Sequence, residues 1–102
     1  MYEDILPQDV AAWRERGAQV VDVREPWEFA AGHVPGSTNI PLSEFVARLD
    51  ELRAPLVLVC ASGSRSASAA AYLDRSGFGE VANLDGGVHL WEEVGLELEL
   101  ER

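Results

Sequence analysis

The chain has 102 residues, a net charge of −10 from 18 acidic and 8 basic side chains, and a hydrophobic content of 47%. That length suits one domain over residues 1–102, with a core that needs no staple. Acidity on this scale repels polyanions and so argues against nucleic acid and anionic membrane surfaces as partners, although ordinary solubility accounts for most of it. No apolar run approaches the roughly 18 residues of a membrane span, and Met1-Tyr2-Glu3-Asp4 lacks a basic leader, so a cytoplasmic protein is expected. Cys60 is the one cysteine, which excludes an intramolecular disulfide and a Cys₄ or Cys₂His₂ zinc site, and no cofactor is expected.

In chain order, Leu6, Val10 and Trp13 recur at helical spacing with Pro7 near the start and Gly17 past the end, predicting a helix over 7–16. The β-branched run at 19–23 predicts a strand covered on both faces. A helical turn follows at 27–31, then a Gly/Pro loop and a short strand over 37–40. Phe45, Val46, Leu49 and Leu52 form one apolar face and predict a helix over 43–52 that stops before Pro55. Residues 56–59, Leu-Val-Leu-Val, are the most apolar run and predict a central strand that ends at Cys60. A helix over 64–76 carries Ser66, Ala69, Ala70 and Leu73 on one face, with Gly77 as its left-handed cap. A strand at 81–84, a turn at 85–87 and a helix at 89–94 follow. The alternating Leu/Glu tail predicts an edge strand or a loosely docked tail.

Strands alternating with helices predict an α/β fold with a parallel sheet flanked by helices on both faces, and ligands bound at the carboxyl ends of the strands. Three such ends are chemically equipped: 24–27, 60–65 and 85–87. They are expected to converge.

The segment Cys60-Ala61-Ser62-Gly63-Ser64-Arg65 joins the central strand to the small-residue helix. A lone thiol is most often a small buried hydrophobe. Here, however, Gly63 permits a left-handed turn, and the small side chains let successive N–H groups curl inward as an anion nest at a helix N-terminus. Lowering a thiol pKa from about 8.5 to about 7 requires roughly 2 kcal/mol, which a helix terminus and the nearby Arg65 together can supply. Cys60 is therefore a candidate nucleophile, with Ala61, Ser62, Gly63, Ser64 and Arg65 as the candidate substrate-binding loop.

With Val21-Asp22-Val23-Arg24, Glu28-Phe29, Gly32-His33-Val34-Pro35-Gly36-Ser37, the loop Cys60-x-x-Gly63-x-Arg65, and Asp85-Gly86-Gly87 followed by Trp91, the chain resembles the rhodanese-like sulfurtransferases from about residue 4 to 95. It looks like their stand-alone, single-domain form. The resemblance implies a five-stranded parallel sheet and a Cys60 that becomes a persulfide. It implies a sulfane-sulfur donor such as thiosulfate and, with no second thiol in the chain, an external thiol or protein acceptor. Many thiosulfate-using members carry another basic residue in this loop, whereas Ala61 follows Cys60 here; 3-mercaptopyruvate or a protein persulfide is an alternative donor.

Other readings use the same loop. A Cys-dependent phosphatase or arsenate reductase places five residues between Cys and Arg, and this chain has four. A Cys/His hydrolase needs an imidazole beside the thiol, and His33 and His89 are poorly placed for that. A carrier or non-catalytic module that passes persulfide sulfur between proteins differs from an enzyme only in its acceptor. Arg24 is weighed as either a pocket residue or the partner of Asp22, and Trp27 is left open as a pocket residue.

Overall fold

A computed structural model describes residues 1–101. Its elements are β1 (Glu3–Ile5), a 3-10 turn (Pro7–Asp9) running into α1 (Val10–Glu15), β2 (Gln19–Asp22), α2 (Pro26–Ala31), β3 (Thr38–Asn39), α3 (Leu42–Phe45) continued by a 3-10 segment (Val46–Glu51), β4 (Leu56–Val59), α4 (Ser64–Arg75), β5 (Val81–Leu84) and α5 (Gly87–Glu93). The five strands are parallel in the order β1-β5-β4-β2-β3. As expected from its composition, β4 is central and every residue in it is buried.

Side chains alternate across a strand, and this period of two divides the core into two layers. Leu56, Leu58 and Cys60 pack with Phe45, Ala69, Ala70 and Leu73 on the α3/α4 side. Val57 and Val59 pack with Val10, Trp13, Val88 and Trp91 on the α1/α5 side. Each fully buried Leu or Val contributes roughly 1.5 to 3 kcal/mol. Cys60 therefore continues the alternation of β4 just past its last residue, under α4. The small face Ser66, Ala69, Ala70 lets that helix lie close to the sheet.

Two expectations need correction, those for the 43–52 helix and for the tail. The helix predicted over 43–52 is a single α turn followed by 3-10 backbone. Arg48 is non-helical there (φ −117°, ψ 24°), and its guanidinium bonds both Glu44 and Glu51. Val46, assigned to its apolar face, is 62% exposed. The fifth strand, β1, had no pattern of its own, since only Ile5 of its three residues is buried. The tail is neither an added strand of the sheet nor loose. Glu99 exchanges two backbone hydrogen bonds with His33, Trp91 Nε1 donates to the Glu97 carbonyl, and Leu98 packs into the α1/α5 layer.

Candidate active site

Gly63 takes φ +101°, a left-handed value that a side chain resists, and so turns the chain sharply between Cys60 and α4. The turn folds N–H groups back onto the sulfur. Gly63 N donates to Cys60 Sγ at 3.1 Å, Ser66 N at 3.3 Å, and Ser66 Oγ lies at 3.3 Å. The Ser62 backbone N–H also favours the thiolate. Burial pushes the Cys60 thiol up, but the amide hydrogens aimed at the sulfur, together with a Ser66 hydroxyl that can turn to the thiolate, outweigh it and leave the thiol below its ordinary value.

The loop is pinned from the opposite side. Val88 N donates to the Cys60 carbonyl at 2.9 Å and His89 N to the Ala61 carbonyl at 3.0 Å, so the first turn of α5 takes up the loop's acceptors while its donors face the sulfur. This fit needs Gly87. A Cβ there would meet the Cys60 carbonyl oxygen at 2.3 Å and the Ala61 carbonyl oxygen at 2.6 Å. The ends at 60–65 and 85–87 thus meet through backbone contact.

The end at 24–27 joins them through a side chain. Arg65 Nη1 and Nη2 reach Glu28 Oε1 and Oε2 at 2.8 and 3.0 Å. Glu28 also accepts from Glu25 N at 2.9 Å, closing the capping box of α2. The Arg65 guanidinium, with burial opposing and the Glu25 N–H assisting, holds the Glu28 carboxyl at about 2. Arg65 therefore stands beside the loop as one half of a bidentate ion pair. Its own charge still senses Cys60, whose thiolate favours the protonated guanidinium after Glu28 does.

Arg24 has a different task. Its Nε and Nη2 bond both carboxylate oxygens of the buried Asp22 at 2.9–3.0 Å, and Nη2 also donates to the Gly32 carbonyl at 2.7 Å. It braces the end of β2, as the partner of Asp22. Trp27 is 73% exposed. His33 is buried, stacked on Phe29 with ring centroids 3.8 Å apart, and bonded through Nδ1 to the Phe29 carbonyl; His89 is exposed. Neither imidazole bonds the thiol.

Of the residues singled out in the sequence, Cys60, Ala61, Ser62, Gly63 and Arg65 take part in this arrangement. Ser64 is exposed, opens α4, and has no bond to the sulfur. Ser66 was read only as a small packing residue, although its N–H and hydroxyl both reach Cys60. Glu28 entered only as part of a motif. Asn83, whose Oδ1 accepts from Ser66 Oγ at 2.5 Å, was missed. A polar amide inside the otherwise apolar Val-Ala-Asn-Leu strand was the available signal. Among the described residues no group of three His, Cys, Asp or Glu side chains is placed to hold a metal ion.

The family model of the rhodanese-like domain matches residues 6–94. The thiosulfate sulfurtransferase GlpE of Pseudomonas aeruginosa is 49% identical over 96 residues, which cover 91% of this chain and 86% of that protein. A crystal structure of a rhodanese-related protein from Thermoplasma volcanium superposes with a TM-score of 0.85 at 34% identity, covering 98% of this chain and all of the other. A rhodanese-like domain protein from Staphylococcus aureus gives 0.82 at 30% identity, covering 98% and 99%.

Proposed function

This chain belongs to the rhodanese-like domain family, and from that premise we propose that it is a sulfurtransferase that takes the sulfane sulfur of thiosulfate onto Cys60 and passes it to a nucleophilic acceptor. The Cys60 thiolate attacks the outer sulfur of the donor. The donor S–S bond breaks, sulfite leaves with the bonding pair, and a Cys60 persulfide remains. An acceptor, cyanide or a thiol, then attacks the terminal sulfur, forms thiocyanate or a new persulfide, and returns the pair to the Cys60 thiolate. Neither step needs a proton removed by a base, in keeping with two histidines that do not bond the thiol.

The observation that carries this reading is the ring of polar groups on one sulfur: the donors Gly63 N and Ser66 N at 3.1 and 3.3 Å, and Ser66 Oγ, whose hydroxyl can turn to a thiolate, at 3.3 Å. Such donors stabilise a sulfur anion and cradle a sulfur added to it. For Ala61 and Ser62 the proposed role is the backbone of that cradle; for Gly63, its turn as well. Arg65 is proposed to meet the anionic part of the donor, and Ser64 to line the mouth. Because Arg65 is already paired with Glu28, a dianionic donor must compete with a carboxylate for the guanidinium.

The proposed acceptor is an external thiol or a protein, since Cys60 is the one cysteine in the sequence. A cytoplasmic setting, where thiols are kept reduced, suits that exchange, with residues 1–102 acting as one domain. The net charge of −10 argues against nucleic acid as a partner, and no helix among the described residues is long and apolar enough to cross a membrane. A persulfide carrier between proteins would use the same cradle. Turnover with thiosulfate and cyanide, compared with sulfur loading from a cysteine desulfurase, tests the enzyme reading. Steady thiocyanate production is expected, and loading by the desulfurase without thiosulfate turnover would replace the enzyme with the carrier.

A further inference from the structure

Ser66 has one hydroxyl hydrogen and two acceptors within reach, Cys60 Sγ at 3.3 Å and Asn83 Oδ1 at 2.5 Å. The far end of the network decides which acceptor takes it. Asp4, once ionised, only accepts, so the Asn83 atom 3.0 Å from its Oδ1 is the amide nitrogen. That turns the Asn83 carbonyl oxygen toward Ser66. A carbonyl oxygen also only accepts, so the Ser66 hydrogen points at Asn83 and a lone pair of its oxygen faces the sulfur.

Strand geometry makes this arrangement a built one. Asp4 and Asn83 are register partners across β1 and β5, and Asn83 pairs with Leu58 across β5 and β4. Ile5, Ala82 and Leu84 belong to the α1/α5 layer, so the period of two sends Asp4 and Asn83 to the α4 side, where Ser66 and Cys60 lie. Ser66 is fully buried and Asn83 is 2% exposed, so no bulk water substitutes for a missing partner.

We propose that Asp4, Asn83 and Ser66 form a positioning relay in which the edge strand aims the Ser66 hydroxyl hydrogen away from the Cys60 sulfur. In the thiol form the Ser66 lone pair accepts the S–H. When the proton leaves, the hydroxyl turns to the thiolate and the Asn83 oxygen loses its donor. The relay thereby restrains thiolate formation that the Gly63 and Ser66 amides promote. Because a thiolate loses nucleophilicity as its pKa falls, this restraint keeps the sulfur reactive.

Titratable and charged groups on the surrounding elements are Arg65 on α4, Glu28 on α2, the Asp22–Arg24 pair at the end of β2, Asp85 and His89 beyond β5, and Asp4 on β1. All but Asp4 are common to the variants below. The proposal rests on Cys60 being the reacting sulfur, and its test reads the thiol without any sulfur donor, so its failure is distinguishable from failure of the transfer reading.

The test is the rate of iodoacetamide alkylation of the sole thiol as a function of pH. Asn83→Val is expected to free the Ser66 hydrogen for the sulfur and lower the midpoint by about 0.5 to 1 pH unit, whereas Ser66→Ala raises it. In the Ser66→Ala background, Asn83→Val no longer moves the midpoint. Asp4→Ala, at an exposed position, lowers it as well, and by more than Asp4→Asn, which removes the charge but keeps an acceptor. The relay is overturned by an Asn83→Val midpoint that rises or stays put, or by an Asn83→Val shift that survives without Ser66. Should Asn83→Val not fold, equal midpoints for Asp4→Ala and Asp4→Asn overturn it.

Discussion

Gly87→Ala tests the link between the fold and the sulfur in one substitution. At φ +55° an added Cβ meets the carbonyl oxygens of Cys60 and Ala61 at 2.3 and 2.6 Å. Ordinary contact lies beyond about 3.4 Å, so α5 and the loop must part by roughly an ångström. The bonds from Val88 N and His89 N to those two carbonyls are then lost or stretched, at about 1 kcal/mol each. The left-handed conformation adds about 1 to 2 kcal/mol. A total near 3 kcal/mol lowers the melting midpoint of a domain this size by roughly 12 to 24 °C. Gly77→Ala is the control. Its φ is +70°, but nothing lies within 4 Å of its added Cβ, so it carries the conformational cost alone. Thermal unfolding ranks the two variants. Alkylation of Cys60 at neutral pH reports the chemistry, and it slows in Gly87→Ala as the loop amides turn away from the sulfur. A Gly87→Ala protein that melts and alkylates like Gly77→Ala refutes the backbone clasp.

Arg24→Ala leaves the buried Asp22 carboxylate without its guanidinium, with only the backbone N–H of residue 24 still donating to it, and is expected to cost about 3 to 5 kcal/mol, seen as a large drop in the denaturation midpoint. A stable variant that has lost only thiosulfate affinity would return Arg24 to the pocket. Arg65→Ala is expected to slow persulfide formation from thiosulfate more than from an uncharged trisulfide, whereas Glu28→Gln weakens the grip on Arg65 and speeds loading by thiosulfate. Stopped-flow loading with both donors reads the contrast, and equal effects on the two donors count against anion binding by Arg65. The folded Glu28 carboxyl, at about 2, lies below its ordinary value of 4.5. Its contribution to stability is therefore complete above about pH 4.5 and is lost as pH falls through about 2. The difference in melting midpoint between wild type and Glu28→Gln should hold steady from pH 7 to 5 and close toward pH 2; a gap that does not change with pH contradicts the pairing.

The parts of the molecule that could be read from residues are those where one local pattern meets one structural demand. The run Leu56 to Val59 has no polar face and sits at the centre of the sheet, and the small face of α4 marks close approach. Gly63 and Gly77 mark left-handed turns because a side chain resists that backbone. What could not be read depends on register between distant strands. Asn83 reaches Ser66 because β5 lies beside β4, and Asp4 reaches Asn83 because β1 lies beside β5. The Glu28–Arg65 pair spans 37 positions, and the sequence spacing of an ion pair says nothing when two loops create it. The 3-10 segment after α3 hides behind a helical apolar pattern that Arg48 interrupts.

Intact mass after incubation with thiosulfate tests the central claim most directly. Wild type is expected to gain one sulfur atom that cyanide or dithiothreitol removes, and Cys60→Ser to gain none. An unchanged wild-type mass across several donors, or an equal gain in Cys60→Ser, would contradict sulfur transfer through Cys60.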